Sequence, residues 1–407
     1  MSNPPPAGKL YSYYRDSGIS PTFGSLQTEA DLDRFCEQRA RIFTLKLQMP
    51  PEMFRDARLL EFGPDTGENA LAFARWGARI ELVEPNTAVW PQLQAYFRHF
   101  GLENQLLGLH DKPIQEFAPA EQADIVVAEG FIHTVKPEKQ WIDVVRQAVR
   151  PNGYLILFYY ERRGLLMEVF HAALYREFRR MAGQKGPDAA RRLYGAKWDA
   201  IAHVRRFNSW VMDVLENPYT HSQFTLDAPR LIQMMAESDF ELHQSWPRYR
   251  DDLRMQWHKA PESPSSIAAE VDSHLQRSAL SHALGRTLYC IGDNASVAAV
   301  GRQVDELLHA VDQALDVGGR QAWTSVAKGF VGLQSSIDRD NTIYAPSAEA
   351  RRSAKAMLDS ASRCATLAAD GDAERLATFA NADQSFVSFW GQPAHYSVFR
   401  KRARTDL

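Results

Sequence analysis

An apolar run that ends in a glycine-containing turn most strongly limits what this chain can fold into. Residues 59–62 (LLEF) lead into residues 63–67 (GPDTG), and a helical pattern begins at Glu68. A second apolar run then ends in the carboxylate of Glu84. This order places a loop of small residues at the carboxyl end of one parallel strand and an acid at the end of the next. The pattern predicts a site for a nucleoside-bearing ligand, whose ribose hydroxyls Glu84 would bind.

Strand-like and helical patterns alternate from residue 57 to residue 160. Continuous apolar runs, such as residues 125–128, are typical of strands buried on both faces. Such alternation predicts right-handed crossovers and a doubly wound sheet. The predicted strands lie at 58–62, 79–84, 105–110, 123–128 and 154–160, and the helices between them at about 68–76, 87–100 and 137–149.

The remaining patterns divide the chain into segments around this core. A strand-like stretch at 394–401 needs a sheet to join, so we expect it to be the antiparallel last strand of the core. The predicted segments are an N-terminal leader and capping helix (1–49), a Rossmann-like core (50–160), a basic helical lid (161–223), a return helix and strand of the core (224–254), an α-helical insertion (255–388), and the last strand with the C-terminus (389–407). The expected fold is α/β, with a seven-stranded sheet, the lid and the insertion.

Composition excludes several classes of protein. A hydrophobic fraction of 45% and a charged fraction of 24% are ordinary for a globular protein. The net charge of −3 favours neither nucleic acid nor an anionic membrane as partner, and no apolar run is long enough to span a membrane. Three widely spaced cysteines indicate no metal site and no disulfide framework, and with the absence of a signal-like N-terminus they predict a cytoplasmic protein.

Two common nucleotide motifs are absent or incomplete. The dinucleotide motif G-x-G-x-x-G is matched only at Gly63, because Asp65 and Glu68 occupy its other glycine positions. A nicotinamide or flavin site is therefore a poor interpretation. No G-x-x-x-x-G-K-[ST] occurs, which excludes a P-loop.

The glycine-containing segment resembles the first motif of class I S-adenosylmethionine-dependent methyltransferases, an acid followed by three alternating glycines. Glu61 matches the acid, Gly63 and Gly67 match the first and third glycines, and Glu84 matches the acid that binds the ribose. Asp65 stands where the family usually has its middle glycine. Its carboxylate would either crowd the methionine end of the donor or favour its positive charges.

Further segments resemble the family in the expected order. His110, Asp111 and Lys112 resemble the turn facing the adenine, and residues 124–133 resemble the fourth strand and its loop. Residues 150–155 and 396–401 resemble the turn into strand five and the closing strand. The resemblance implies S-adenosyl-L-methionine as cofactor, bound by Glu61, Phe62, Gly63, Asp65, Gly67, Glu84, Pro85, Asp111, Lys112, Glu129 and Gly130.

Residues for the reaction itself are less sharply indicated. His133 is the candidate general base, because a histidine titrates near neutral pH, although it would also serve to cap a turn or pack beneath a lid. Tyr159, Tyr160 and Arg162 leave strand five where substrates usually bind. These residues are the candidate acceptor-binding set.

Three interpretations of function remain at this point. The preferred one is methyl transfer to an oxygen or nitrogen atom of a small-molecule or carbohydrate-like acceptor, with anionic acceptors included. The second is a non-catalytic nucleoside-binding partner subunit that uses its helical insertion as an interaction surface. A nicotinamide-dependent oxidoreductase is a weaker third. The insertion at 255–388 either forms a homodimer or widens the acceptor pocket, and the tyrosines Tyr11, Tyr13 and Tyr14 either cover the cofactor or shield a core edge.

Overall fold

Seven strands form one mixed sheet in the computed structural model of the chain. The structure describes residues 5–20, 26–184, 186–201, 206–250, 262–339 and 342–403. The strands are β1 (Arg58–Phe62), β2 (Arg79–Val83), β3 (Leu106–His110), β4 (Ala123–Glu129), β5 (Val149–Tyr160), β6 (Phe240–Trp246), β7 (Tyr289–Cys290), β8 (Ile343–Tyr344) and β9 (Ala394–Lys401). The sheet has the order β3-β2-β1-β4-β5-β9-β6, and β7 and β8 form a separate two-stranded sheet.

Helices flank the strands along the whole chain. Before β5 they are α1 (Leu10–Ser17), α2 (Glu29–Leu45), α3 (Glu68–Arg75), α4 (Trp90–His99) and α5 (Glu138–Ala148). After β5 they are α6 (Leu166–Ala182), α7 (Gly186–Asp199), α8 (Phe207–Trp210), α9 (Ala228–Glu237), α10 (Pro264–Arg277), α11 (Ala279–Leu284), α12 (Asn294–Asp316), α13 (Gly319–Arg339), α14 (Ala348–Asp370), α15 (Ala373–Ala382) and α16 (Gln384–Ser388). None of the helices in the described part of the chain combines the length and apolar composition needed to cross a bilayer.

The sheet confirms the predicted α/β, Rossmann-like fold with seven strands. Strands β1 to β5 pair with one another in parallel, and β9 pairs antiparallel with β6, as predicted for residues 394–401. β5 begins earlier than predicted, at Val149, which pairs with Ala123. Pro151, Asn152 and Gly153 were interpreted as a turn; instead Asn152 takes a positive φ of 61° next to a shift in register, so the strand continues through an irregularity.

The chain divides into two compact units. The sheet unit contains Pro6–Tyr159, Leu226–Val271 and His395–Leu407, and the helical unit contains Tyr160–Thr225 and Asp272–Ala394 together with Met1–Pro5. Most of the predicted lid and most of the predicted insertion thus cluster in one unit, and their treatment as separate domains stays a prediction. Parts of the predicted segments lie outside the described residues: 1–4, 21–25, 185, 202–205, 251–261, 340–341 and 404–407.

The helical unit has a core of its own. Helix α13 packs against α12 and α14, and α6 packs against α12. The aromatic side chains of Phe170, Trp323 and Phe330 are fully buried there, and the rings of Phe170 and Phe330 meet edge to face with centroids 5.0 Å apart. Burial of rings of this size is a large source of hydrophobic stabilisation, which accounts for a second unit built from amphipathic helices.

In the sheet unit, the strand order changes direction between β1 and β4. β1 pairs with β2 on one side and with β4 on the other, so the crossovers leave from opposite sides of this point. Ligands of open α/β sheets bind beyond the carboxyl ends of the strands at such a point. The loop predicted to bind the cofactor begins here, at Gly63.

Helix α2 lies before the first strand and supplies the side chain of Arg39 to this edge. It begins with a capping box: Asp31 N donates to Thr28 Oγ1 at 3.2 Å, and Thr28 N donates to Asp31 Oδ2 at 3.0 Å. Such a cap contributes about 1 kcal/mol to a helix. Thr28 is therefore the N-cap residue of α2.

Candidate donor site at the carboxyl edge of the sheet

The loops after β1, β2 and β4 are fixed relative to one another by main-chain hydrogen bonds that continue the sheet. Gly63 N donates to Val83 O at 2.9 Å, Glu84 N donates to His110 O at 2.9 Å, and Gly130 N donates to Phe158 O at 3.0 Å. Because these bonds lie just beyond the last paired residues of parallel strands, the predicted site residues Gly63, Glu84 and Gly130 are brought to one edge.

Glu84 joins two of these loops through its carboxylate. Its Oε2 accepts from Asp65 N at 3.1 Å, and its Oε1 accepts from Asn86 N at 2.7 Å. The side chain is 4% exposed, and burial raises its pKa to about 7, an effect that the Asn86 bond opposes and the nearby Asp65 charge reinforces. Trp90 Nε1 donates to the Glu84 carbonyl at 3.1 Å. The carboxylate is thus held in place beside the glycine-containing loop.

The loop at 63–67 turns through three left-handed residues. Gly63, Asp65 and Gly67 have φ values of 67°, 50° and 92°. Glycine is the residue best suited to this conformation, and Asp is among the few others that adopt it at modest cost. Asp65 is therefore compatible with the backbone that the usual glycine would give. Its carboxylate accepts a hydrogen bond from Ser20 Oγ.

The two glycines of the loop are covered by protein side chains. A Cβ atom on Gly63 would lie 2.8 Å from ring atoms of Phe131, and one on Gly67 would lie 2.9 Å from Leu93 Cγ. A substituent at either position would force these neighbours to move. Phe131, which no sequence pattern singled out, therefore packs directly on the first glycine of the motif.

A buried ion pair lies next to this loop. Arg39 Nη2 donates to Glu129 Oε1 at 3.1 Å and to Oε2 at 3.0 Å, and Asn69 Nδ2 donates to Oε2 at 2.9 Å. The Arg39 guanidinium also lies 5.0 Å from the Phe43 ring centroid and 5.1 Å from that of Phe73. Glu129, predicted to bind the cofactor, thus already accepts hydrogen bonds from Arg39 and Asn69.

Glu61 is the most deeply buried acid of the site. It is 1% exposed, and its Oε2 has no hydrogen-bond partner among the described residues. Burial and, to a smaller extent, the charge of Glu129 raise its pKa to about 8, while Arg39 acts in the opposite direction. A buried carboxylate oxygen without a donor is costly unless a cation or a hydrogen-bond donor reaches it. Glu61 is therefore suited to meet a positively charged group of a ligand.

Comparison with known proteins shows the family to which this chain belongs. Residues 33–245, more than half of the chain, match the family model described as a methyltransferase domain. The chain belongs to the methyltransferase domain family. The resemblance inferred from the sequence is thereby confirmed. No curated protein matches the chain.

Among solved structures, the chain is similar to several methyltransferases at low identity. The glycopeptide N-methyltransferase MtfA, in complex with S-adenosylmethionine, is 18% identical over 31% of this chain and 55% of its own, with a TM-score of 0.27. The YcgJ protein of Bacillus subtilis is 14% identical over 63% of this chain and 89% of its own, with a TM-score of 0.33. The N-methyltransferase NodS of Bradyrhizobium japonicum is 16% identical over 38% and 74%, with a TM-score of 0.29. The chain spans only about half the length of MtfA.

In this methyltransferase domain, three of the other predicted cofactor residues occupy less enclosed positions. Asp111 and Lys112 are exposed in the turn after β3, and Pro85 is half-buried after β2. Phe62 is buried, and its ring meets that of Phe117 edge to face at 5.6 Å, so the side chain belongs to the core.

His133 lies in a short turn after β4 and is 3% exposed. Burial lowers its pKa to about 3, and the nearby Lys136 charge acts in the same direction. A general base is most effective when its pKa is near the working pH. His133 is therefore a neutral ring in this conformation and a weak base, and its catalytic role stays a prediction.

The three predicted acceptor residues belong to different units. Tyr159 is fully buried in the sheet unit, where its hydroxyl hydrogen-bonds with Tyr249 Oη at 2.9 Å and Ser397 Oγ at 3.0 Å. Tyr160 and Arg162 belong to the helical unit; Tyr160 packs on its core and Arg162 is exposed. Their part in acceptor binding stays a prediction.

Proposed function

We propose that this chain transfers the methyl group of S-adenosyl-L-methionine to an oxygen or nitrogen atom of a small-molecule or carbohydrate-like acceptor, anionic acceptors included. The observation that carries the proposal is the position of the Glu84 carboxylate, held by the main-chain N–H groups of Asp65 and Asn86 beside the loop at 63–67. A carboxylate fixed in this way presents its remaining lone pairs to the two hydroxyls of a ribose.

The charges of the site fit the methionine end of the donor. Glu61 offers a buried oxygen without a partner among the described residues, while Arg39 offsets the charge of Glu129. When bound, S-adenosyl-L-methionine supplies an electrophilic methyl group on a positively charged sulfur. Glu61 and Glu84 then hold the donor. The packed side chains around it exclude water and fix the direction from which the acceptor attacks the methyl group.

Proton transfer by His133 is not required by this proposal. A methyl group on a sulfonium is already reactive, so alignment and exclusion of water are the chief contributions of the protein. The neutral His133 ring is suited to donate or accept a hydrogen bond near the acceptor. Acceptors with an amine that is unprotonated at neutral pH or with an acidic hydroxyl are thereby favoured, since they need little help to present a free lone pair.

The state of the cysteines supports a cytoplasmic location for the protein. Cys36, Cys290 and Cys364 are unpaired and buried, as is usual in a reducing compartment, so we place the protein in the cytoplasm.

The helices of 255–388 form either a homodimer interface or an extension of the acceptor pocket. Sedimentation of the full chain separates these two roles.

Titration calorimetry tests the proposal directly. The full chain is titrated with S-adenosylmethionine, with S-adenosylhomocysteine and with NADH as an unrelated nucleotide. We expect the first two to bind and NADH not to bind, and we expect release of S-adenosylhomocysteine with an acceptor from a broad panel of amines, phenols and sugars. Binding of neither adenosyl compound would refute the proposal.

The second candidate is a non-catalytic subunit that binds a nucleoside. It is supported by Phe131 and Leu93, which fill the space over Gly63 and Gly67. It predicts binding of S-adenosylhomocysteine without turnover of any acceptor in the panel. Turnover of a single acceptor at a rate above the uncatalysed one excludes it.

A further inference from the structure

The chain before α2 crosses the carboxyl edge of the central strands. We call residues 6–20 the N-terminal strap. Near its start, Gly8 N donates to Thr134 O at 2.8 Å, and at its end Ser20 Oγ donates to the carboxylate of Asp65. Thr134 follows β4 and Asp65 follows β1, and these two strands are neighbours in the sheet. The strap is therefore fixed at both ends to the loops that border the donor site.

Helix α1 forms the middle of the strap. It runs over Leu10–Ser17, Leu10 is buried, and the helix ends at Gly18 with a left-handed φ of 64°. An eight-residue helix is about 12 Å long. Since neighbouring strands lie about 5 Å apart, the strap is long enough to pass from one loop to the other across the edge.

Asp65 connects the strap to the proposed ribose acid. Its carboxylate accepts from Ser20, while its main-chain N donates to Glu84 Oε2 at 3.1 Å. Asparagine and glycine also tolerate its φ of 50°. The loop conformation therefore does not require a carboxylate at this position. What the Asp65 side chain adds is a contact with the strap.

We propose that Asp65 is a positioning residue. Its hydrogen bond with Ser20, which we call the latch, holds the N-terminal strap across the donor site, and ligand enters and leaves when this bond opens. This inference rests on the proposed function, because it assigns the latch to the donor site. It also gives the departure from the family's middle glycine a role. The usual glycine has no side chain with which to hold the strap.

Hydrogen exchange without any ligand is the first test. We compare exchange of the main-chain amides of residues 10–19 in the wild type, Ser20→Ala, Asp65→Gly and Asp65→Asn. Asp56→Gly is the matched control, because Asp56 also has a positive φ, 60°, but is exposed at the opposite end of β1. Both glycine variants suit their backbone conformation, so both are expected to fold.

The latch predicts a distinct order of exchange rates. Ser20→Ala and Asp65→Gly should exchange about tenfold faster in the strap, which corresponds to about 1.4 kcal/mol and is within the contribution of a hydrogen bond to a charged group. Asp65→Asn should lie between the wild type and Asp65→Gly, because its amide oxygen still accepts from Ser20. Asp56→Gly should match the wild type. Wild-type exchange in both Ser20→Ala and Asp65→Gly would overturn the proposal.

Binding kinetics provide the second test. Stopped-flow tryptophan fluorescence follows S-adenosylhomocysteine binding, with Trp90 beside Glu84 as an internal probe. If the strap must open before ligand enters and before ligand leaves, weakening the latch raises both the association and the dissociation rate constants. We expect both to rise about tenfold in Ser20→Ala and Asp65→Gly, with the Kd changed less than either. A change in the dissociation rate alone would contradict the latch.

The two tests separate failure of the latch from failure of the proposed function. If the wild type binds neither S-adenosylmethionine nor S-adenosylhomocysteine, the proposed function is wrong, and the exchange measurement still decides whether Asp65 holds the strap. If ligand binds but exchange and kinetics are unchanged in the variants, the latch is wrong and the proposed function stands.

Discussion

Arg39 and Glu129 form an ion pair that links helix α2 to the end of the fourth strand, with Arg39 Nη2 3.1 and 3.0 Å from the two carboxylate oxygens. The side chains are 12% and 8% exposed. Removal of one partner from a buried pair leaves an uncompensated charge and typically costs about 3–5 kcal/mol. The pair therefore fixes the position of α2 against the donor edge.

Replacement of Arg39 by methionine should destabilise the chain by about 3 kcal/mol. Chemical denaturation measures the loss. The control is Arg34→Met on the same helix, because Arg34 is 64% exposed and its pair with Asp31 should contribute less than about 1 kcal/mol. The double variant Arg39→Met with Glu129→Met should recover most of the stability, since no charge is then left buried. Equal losses in the Arg39 and Arg34 variants would contradict a buried pair.

Glu84→Gln should weaken binding of S-adenosylhomocysteine by about 1–3 kcal/mol, because the hydrogen bonds to the ribose lose their charged acceptor. Calorimetry measures the change. Glu103→Gln, an exposed acid of the same sheet unit, is the control and should bind as the wild type does. An unchanged affinity in Glu84→Gln would remove Glu84 from the donor site.

The stability of the chain should depend on pH through Glu61. Its pKa in the folded chain is raised to about 8 from an ordinary value of 4.5, so between these values the folded chain keeps a proton that the unfolded chain has lost. The contribution of Glu61 to the free energy of unfolding is therefore complete below pH 4.5 and is lost as the pH rises to about 8. Glu61→Gln should therefore gain stability relative to the wild type as the pH rises from 6 to 8, by up to about 1.4 kcal/mol per pH unit. Urea denaturation at several pH values measures this gain, and a difference independent of pH would contradict it.

His133 should remain neutral across the physiological range. Its pKa is lowered to about 3 by burial, so its ring carbon resonances in a ¹³C-labelled sample should not shift between pH 5 and 8. His133→Asn identifies the resonance. A midpoint near pH 6.5 would show that the ring is solvated and would restore it as a candidate base.

Deletion of residues 394–407 should destabilise the whole sheet unit. β9 lies between β5 and β6, and its side chains Val398 and Phe399 are fully buried. We expect loss of the cooperative thermal transition or a Tm lower by many degrees. An unchanged Tm would refute the assignment of this strand to the sheet.

Local patterns were enough to predict the sheet and the loop that begins the donor site. β1 and β9 were predicted with the bounds the structure gives, because the local sequence pattern of a strand is encoded within a few residues. The position of Glu84 followed from the same order of strand, glycine turn, helix and strand. These features depend on residues close together in the sequence.

Contacts between distant residues were not predictable in this way. Arg39 reaches Glu129 across ninety positions, and Phe131 covers Gly63 only because β1 and β4 are neighbours in the sheet. Neither contact leaves a signal in residue spacing. Tyr159 and Tyr160 are consecutive strand residues, which point to opposite faces, and residue spacing alone does not indicate which of them faces an acceptor.

The most direct test of the account is a crystal structure of the full chain with S-adenosylhomocysteine. We predict that the ligand lies against residues 63–67 with both ribose hydroxyls bound to the Glu84 carboxylate. A structure in which this edge is empty at saturating ligand, or in which the ligand lies elsewhere, would contradict the central claim.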